Sequence, residues 1–194
     1  NGGTVNGTTF ANVENLNGGA AIDTFTFTDD LSGRAFGDGD DDVFNVDDGG
    51  SAGVIDGGAD NDTVSYDDPT RVAGVTVAYD TFTSIESLTG SALPDTLTGT
   101  GDADTFTVTA ANTGTATLTA GGEVVGFTGF ENLSGLGDND TFNMDAGVDG
   151  TVDGGANGAA GDVINGMATA NTFDITSANG GTVNGTTFAN VENL

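Results

Sequence analysis

Short runs in which apolar residues alternate with Thr, Asn or Asp recur along the chain: Phe25/Phe27, Phe44/Val46, Val64/Tyr66, Phe106/Val108, Phe142/Met144 and Phe173/Ile175. A period of two sends successive side chains to opposite faces, so each run predicts a short strand with one buried face. Gly-rich turns separate the runs. No stretch carries a helical period, because Gly and β-branched Thr stand where helix formers would be needed. Pro69 and its flanking acids predict a loop over 67–81 that ends in a strand from Val75 to Tyr79.

The runs are spaced by rule. Glu131-Asn-Leu133 is followed nine residues later by Asp140-Thr-Phe142, and Glu14-Asn-Leu16 by Asp23-Thr-Phe25. Glu86-Ser-Leu88 continues through Asp95-Thr-Leu97 to Asp104-Thr-Phe106 in the same step. One register therefore reads acid, any residue, apolar residue, then a Gly-rich turn. A longer motif, F-x-x-[aliphatic or Phe]-E-[N/S]-L, begins at Phe10, Phe82, Phe127 and Phe188. Two segments depart from the step. Residues 110–126 predict a hairpin-like or extra-rung excursion through Thr115–Thr119 and Gly121-Gly122. Residues 145–161 carry a three-residue insertion ahead of Asp162-Val-Ile164. Strands this short, separated by tight turns and repeated, predict an all-β fold. Its expected form is a parallel β-solenoid, a β-helix or β-roll of short stacked strands with Gly/Asp turns.

A coarser repeat overlies the fine one. Residues 1–16 recur unchanged as 179–194, an offset of 178 residues. The domain organisation this predicts is one tandem unit over 1–178 followed by the start of an identical unit over 179–194. Neighbouring units stacked end to end are then the first expected partner.

Composition narrows the picture. The chain has 194 residues, 34 of them Gly, with a hydrophobic share of 36%. That allows a thin, continuous core rather than a thick one. The absence of Cys removes disulfides as staples. No apolar run is long enough to span a bilayer, so membrane insertion is not expected. Thirty acids face only Arg34 and Arg71, for a net charge of -28. Such a chain repels nucleic acid and calls for counter-cations. Two carboxylates about 5 Å apart repel by roughly 3 kcal/mol at an effective dielectric near 20. Two readings follow, and they are compatible: bound Ca²⁺ neutralises the stacked acids, or the surface is adapted to high salt.

Gly57-Gly-Ala-Asp-Asn-Asp-Thr-Val64 resembles the RTX calcium-binding nonapeptide, G-G-x-G-x-D-x-[aliphatic]-x. The resemblance implies a parallel β-roll with Ca²⁺ held between turns by Asp side chains and loop carbonyls. The acid register matches at Asp42, Asp62, Asp95, Asp104 and Asp140. Asp60, Asp102 and Asp138 replace the family's left-handed Gly, and with Asp38 and Asp40 they add further oxygen ligands. All ten are candidate metal residues. Ca²⁺ accepts six to eight oxygens in flexible geometry, which suits an Asp-x-Asp turn better than the strict octahedron of Mg²⁺. Glu14, Glu86, Glu131 and Glu192 either join as ligands or cap N–H groups of the neighbouring turn. Asn15, Asn132 and Asn193 are expected in internal ladders.

The wider F-x-x-V-E-N-L-x-G-x-x-x-x-D-T-F pattern resembles that of giant repetitive bacterial surface or secreted proteins of the adhesin and haemagglutinin-like class. That implies an extracellular or cell-surface structural module, a calcium-stabilised fibre or stalk that meets other fibres or cell surfaces. Two alternatives are weighed against it. Thr105/Thr107/Thr109 and Thr115/Thr117/Thr119 could form a flat face for carbohydrate or ice, or simply reflect the β-propensity of Thr. A polysaccharide-active enzyme on a β-helix is disfavoured, because the chain has no His, Lys or Cys and its acids sit in repeated turns rather than in a break of the repeat.

Overall fold

A computed structural model describes residues 2–119 and 122–194; Asn1 of the duplicated stretch and Gly121 of the predicted excursion lie outside the described residues. The described chain is almost wholly β. In order, it forms β1 (Gly2–Val5), β2 (Thr8–Ala11), β3 (Leu16–Gly19), β4 (Thr24–Phe27), β5 (Asp30–Asp38), β6 (Val43–Val46), β7 (Ser51–Gly58) and β8 (Thr63–Ser65). After a loop come β9 (Thr76–Ala78), a 3-10 turn at Tyr79–Thr81, β10 (Phe82–Thr83), β11 (Ser87–Thr89), β12 (Thr96–Thr98) and β13 (Thr105–Ala110). The rest are β14 (Thr113–Thr117), β15 (Val124–Thr128), β16 (Asn132–Ser134), β17 (Gly137–Asp138), β18 (Thr141–Met144), β19 (Thr151–Asp153) and β20 (Ala156–Asn157). They end with β21 (Val163–Asn165), β22 (Phe173–Ser177), β23 (Gly180–Val183) and β24 (Thr186–Ala189). Two compact units divide the chain: Asn1–Val75 with Asp80–Leu93, and Thr76–Tyr79 with Pro94–Leu194.

In the first unit the strands from β3 to β8, then β10 and β11, alternate between two parallel ladders. β4, β6, β8 and β11 form one ladder, which sets Phe25, Phe44, Val64 and Leu88 opposite one another. β3, β5, β7 and β10 form the other, through Leu16, Ala35, Ile55 and Phe82. Phe25, Phe44, Val64 and Leu88 are all fully buried. The Phe25 and Phe44 rings stack 4.7 Å apart at 8°. A large side chain buried in this way contributes roughly 1.5–3 kcal/mol. Stacking identical positions therefore turns a thin apolar seam into a continuous core.

The second unit repeats the scheme. β9, β12, β16, β19 and β24 pair in parallel through Val77, Leu97, Leu133, Val152 and Phe188. β13, β18 and β21 do so through Phe106, Phe142 and Ile164.

Not every pairing is parallel, which corrects the expectation of parallel stacking throughout. Three antiparallel meanders occur: β2-β1-β4, β15-β14-β13 and β24-β23-β22. The first and third turn at Asn6-Gly7 and Asn184-Gly185, all four with positive φ. Two consecutive left-handed residues match the twist of a two-residue hairpin, and Asn-Gly supplies them at low cost. The second meander is the excursion expected over 110–126. One predicted inward pair faces outward instead: Phe173 is 38% and Ile175 55% exposed. Among the described residues β22 pairs only with β23, so nothing covers its outer edge.

Candidate functional site

The acid register becomes a row of buried carboxylates at the start of the strands. In the first unit the Asp23 N–H donates to Asp42 Oδ1 (2.7 Å), the Asp42 N–H to Asp62 Oδ1 (2.8 Å) and the Asp62 N–H to Glu86 Oε2 (2.8 Å). In the second unit Asp104 donates to Asp140 (2.7 Å), Asp140 to Asp162 (2.7 Å) and Asp162 to Glu192 Oε2 (3.0 Å). The Asp95 N–H donates to Glu131 Oε2 (2.8 Å). Each carboxylate thus satisfies the first backbone N–H of the strand stacked against it, an N–H that the ladder itself leaves unpaired. Glu86, Glu131 and Glu192 occupy the end of each row as caps.

Only one carboxylate oxygen is used in this way. The Oδ2 atoms of Asp42, Asp62, Asp140 and Asp162 are buried without a hydrogen-bond partner. Each points at a glycine of its own turn. A Cβ added at Gly37, Gly57, Gly135 or Gly154 would overlap that Oδ2. At Gly37 it would also meet the Gly57 carbonyl, and at Gly135 it would lie 2.8 Å from the Gly154 carbonyl. The missing side chain leaves a notch lined by a carboxylate oxygen and a carbonyl oxygen of the stacked turn. Gly154 precedes Asp162 by three residues more than the other glycines precede their acids. The inserted residues are looped out and the contact is kept.

Burial without a full set of donors raises the carboxyl groups. Desolvation is the largest cause, and the neighbouring acids add to it, while the N–H bond opposes it. Asp140 is pushed up from 3.8 to about 7 and Asp62 to about 6; Asp42 and Asp162 move the same way. Asp42 feels Asp40 and Asp38, and Asp140 feels Asp138, which places these three outer acids in electrical reach of the row.

The ten sequence candidates therefore fall into two sets. Asp42, Asp62, Asp95, Asp104 and Asp140 lie in the buried rows, at 0–1% exposure. Asp38, Asp40, Asp60, Asp102 and Asp138 sit on the exposed outside of the turns. Asp38, Asp40, Asp60 and Asp138 have φ between 68° and 80° and so adopt the left-handed conformation that glycine would supply. Asp is among the few side chains that visit it. Asp23 and Asp162 belong to the rows as well. Their Asp-Thr-Phe and Asp-Val-Ile contexts carry the same signal as the other members of the rows.

Asparagines tie the turns together. Asn132 Oδ1 accepts from the Thr151 N–H, and its Nδ2 donates to the Asp95 carbonyl, each 3.0 Å. Asn193 Nδ2 donates to the Asp162 carbonyl, and Asn15 Oδ1 accepts from Arg34 N–H. These are side-chain-to-backbone bridges between stacked turns. A true side-chain ladder runs elsewhere, from Asn165 through Asn143 to Thr107. The two Thr rows lie side by side, with Thr105 opposite Thr117 and Thr107 opposite Thr115.

Among the described residues, no three His, Cys, Asp or Glu side chains converge as a preformed cage. No described helix is long and apolar enough to cross a membrane. The oxygen chemistry of the notches nonetheless fits a hard cation: orphaned, buried Oδ2 atoms, carbonyl oxygens of the stacked turn, and further carboxylates at the turn's rim. The chain matches no family model, no curated protein and no solved structure.

Proposed function

We propose that this chain is a structural repeat module: a calcium-stiffened β-solenoid, stacked end to end into a fibre or stalk outside the cell. The observation that carries this reading is the buried carboxylate row with its orphaned Oδ2 atoms. A buried, unpaired carboxylate oxygen is costly. Four of them, at Asp42, Asp62, Asp140 and Asp162, are tolerated when a cation or a proton accompanies each, whereas Asp104 Oδ2 is met by the Thr100 N–H and hydroxyl of its own turn. The protein's own groups divide the work. Oδ1 atoms hold the strand ends, Oδ2 atoms and the carbonyls of Gly57, Ser84, Gly154 and Asn190 are the oxygens Ca²⁺ would take, and the rim acids Asp38, Asp40, Asp60, Asp102 and Asp138 would complete the shell. Bound Ca²⁺ would supply charge neutralisation between turns. The resemblance to RTX turns and to repetitive surface proteins supports an extracellular, adhesive or scaffolding setting, where free calcium is plentiful. The unchanged recurrence of residues 1–16 as 179–194 supports use as one unit of an array.

Calorimetry with millimolar calcium and again with EGTA tests the reading. The melting temperature is expected to rise with calcium by ten degrees or more, on the scale of roughly 2–4 °C per kcal/mol for a chain of this size. An unchanged melting temperature would remove calcium and leave salt adaptation as the account of the acidity.

A further inference from the structure

The three meanders share one register. Gly3, Gly114 and Gly181 lie opposite Phe10, Phe127 and Phe188 on one neighbour. On the other side each glycine presses against a backbone carbonyl that a Cβ would strike: Thr26 in β4, Thr107 in β13 and Asp174 in β22. By position, then, β4, β13 and β22 are equivalent. By sequence they are not. Asp23-Thr-Phe25 stands nine residues after Glu14, as Asp140-Thr-Phe142 stands nine after Glu131. That makes β4 the counterpart of β18, and β18 lies one strand further out, parallel on the outer edge of β13. In the first meander one strand is missing between β1 and β4.

The third meander identifies it. β23 and β24 have the same residues as β1 and β2, and the strand that precedes them is β22. Resting on the reading of the chain as a repeat unit, we infer that β22 of one copy and β4 of the next form a parallel joint. Thr172 would face Thr24 of the next copy, Phe173 would face Phe25, and Ile175 would face Phe27. Two independent routes give this register. β22 meets β23 with Phe173 opposite Val183 and Ile175 opposite Gly181, and β4 meets β1 with Phe25 opposite Val5 and Phe27 opposite Gly3. Separately, β13 meets β18 with Phe106 opposite Phe142, and Phe106 corresponds to Phe173 in the shared meander.

The surface of β22 fits this occupant. Phe106 and Val108 are fully buried where β18 covers them, while Phe173 and Ile175 are 38% and 55% exposed. An open groove of about 260 Å³ runs beside Ile175, Phe188, Val191 and Leu194. Copy-to-copy pairing would extend the Phe25–Phe44 stack by one ring. It would also extend the carboxylate row, because Asn171 stands where Asp104 stands in the second meander. The Asp104 N–H donates to Asp140 Oδ1, so the Asn171 N–H would donate to Asp23 Oδ1 of the next copy. In the single chain that carboxylate takes the Asn6 side chain instead, and the Thr24 N–H takes Asn6 Oδ1 at 2.8 Å. Asn184, the same residue one repeat on, holds Asn171 and the Thr172 N–H in the same manner. The first meander is thus a self-closed form in which β4 occupies the slot of an absent β22.

The test is a lengthened chain in which Leu194 runs on into a second copy of residues 17–194, with one cysteine in each copy. Asp174→Cys in the first copy is paired with Thr26→Cys in the second; both positions are outside the core, and the protein has no other thiol. Adjacent strands lie about 4.8 Å apart, within disulfide reach. Oxidation of this pair is expected to run at least ten times faster than that of Asp174→Cys with Thr24→Cys, which is two residues out of register. In the unsubstituted lengthened chain, amides of Phe173–Ser177 in the first copy are expected to exchange at least tenfold more slowly than those in the last copy. Equal oxidation rates together with equal exchange would overturn the joint, and the exchange readout holds even where a cysteine variant fails to fold. Melting of the same chain with EGTA is read separately. Calcium-dependent melting with neither a register-selective cross-link nor slowed exchange sinks the joint alone; a cross-link with calcium-independent melting sinks the calcium reading alone.

Discussion

Asp140 and Asp138 share one turn and face opposite environments. Asp140 is fully buried, accepts a backbone N–H from the stacked strand and has its carboxyl pushed up to about 7. Asp138 is exposed, bends the chain at φ 68° and bonds only to its neighbour Asn139 among the side-chain contacts described. The same contrast separates Asp62 from Asp60. Residue type and local sequence are nearly the same in both registers. What differs is whether a second turn lies over the side chain. A carboxylate in this chain is therefore structural or superficial according to its phase in the nine-residue step.

Truncation exposes the contrast most directly. Asp140→Ala leaves the Asp104 N–H without an acceptor and opens a void between turns. A loss of about 3 kcal/mol is expected in calcium-free buffer, from the unsatisfied buried donor and the lost packing. Asp138→Ala, by contrast, is expected to cost no more than about 1 kcal/mol under the same conditions, the strain of a methyl side chain at φ 68°. Urea unfolding of both variants measures the gap. Equal losses would mean that burial does not separate the two registers.

Acidity gives the second break. The buried acids have folded-state values raised above 3.8, to about 6 for Asp62 and about 7 for Asp140. A raised value means that the folded state holds its proton more tightly than the unfolded state. The stability from that protonation is complete below about pH 4 and is lost as pH rises through 6 to 7. Without calcium the melting temperature should therefore fall across that window, by several degrees at roughly 2–4 °C per kcal/mol. Calcium bound as proposed would compete with protons for the same oxygens, so adding it should flatten the fall. Asp140→Asn keeps an acceptor oxygen and cannot ionise, so it should remove part of the fall and part of the calcium gain together. A melting temperature that rises between pH 4 and 7 in EGTA would contradict the burial of these carboxylates.

Much of this was legible in the residues. Period-two runs located β4, β6, β13 and β18, and the nine-residue step located the buried Asp row, because both are local consequences of one strand and one turn. The positions of Glu86, Glu131 and Glu192 followed from the same step, which left open whether they cap N–H groups or join as ligands. Two things were not visible in it. The meanders at Val5-Asn-Gly-Thr8 and its copy at Val183–Thr186 were signalled by a two-residue Asn-Gly loop. A reading tuned to nine-residue steps passes over it, and so expects parallel stacking where the chain doubles back. The exposure of Phe173 and Ile175 had no local signal at all. Their alternation is the same as that of Phe106 and Val108, and the difference lies in a strand elsewhere that covers one pair and not the other. Asp23 and Asp162 show the limit from the other side: the step includes both, but the acids are densest at the rim, around Asp38–Asp42.

The rim itself supplies the smallest and most discriminating effect. Asp60 is exposed and holds φ 80°, a conformation that costs a side chain about 1 kcal/mol and glycine nothing. Asp60→Gly relieves that cost and removes one charge from a crowded turn, while the added freedom of the unfolded chain takes back roughly half of the gain. In EGTA the variant should therefore be more stable than the parent by about 0.5 kcal/mol. In calcium the sign should reverse if Asp60 belongs to the proposed cation shell, because one of its oxygens would have gone. Denaturation of parent and variant in both buffers gives the four values needed. A gain of equal size in both would place Asp60 outside the cation shell and confine the ligands to the buried row, where the two registers would then differ in chemistry as completely as they differ in burial.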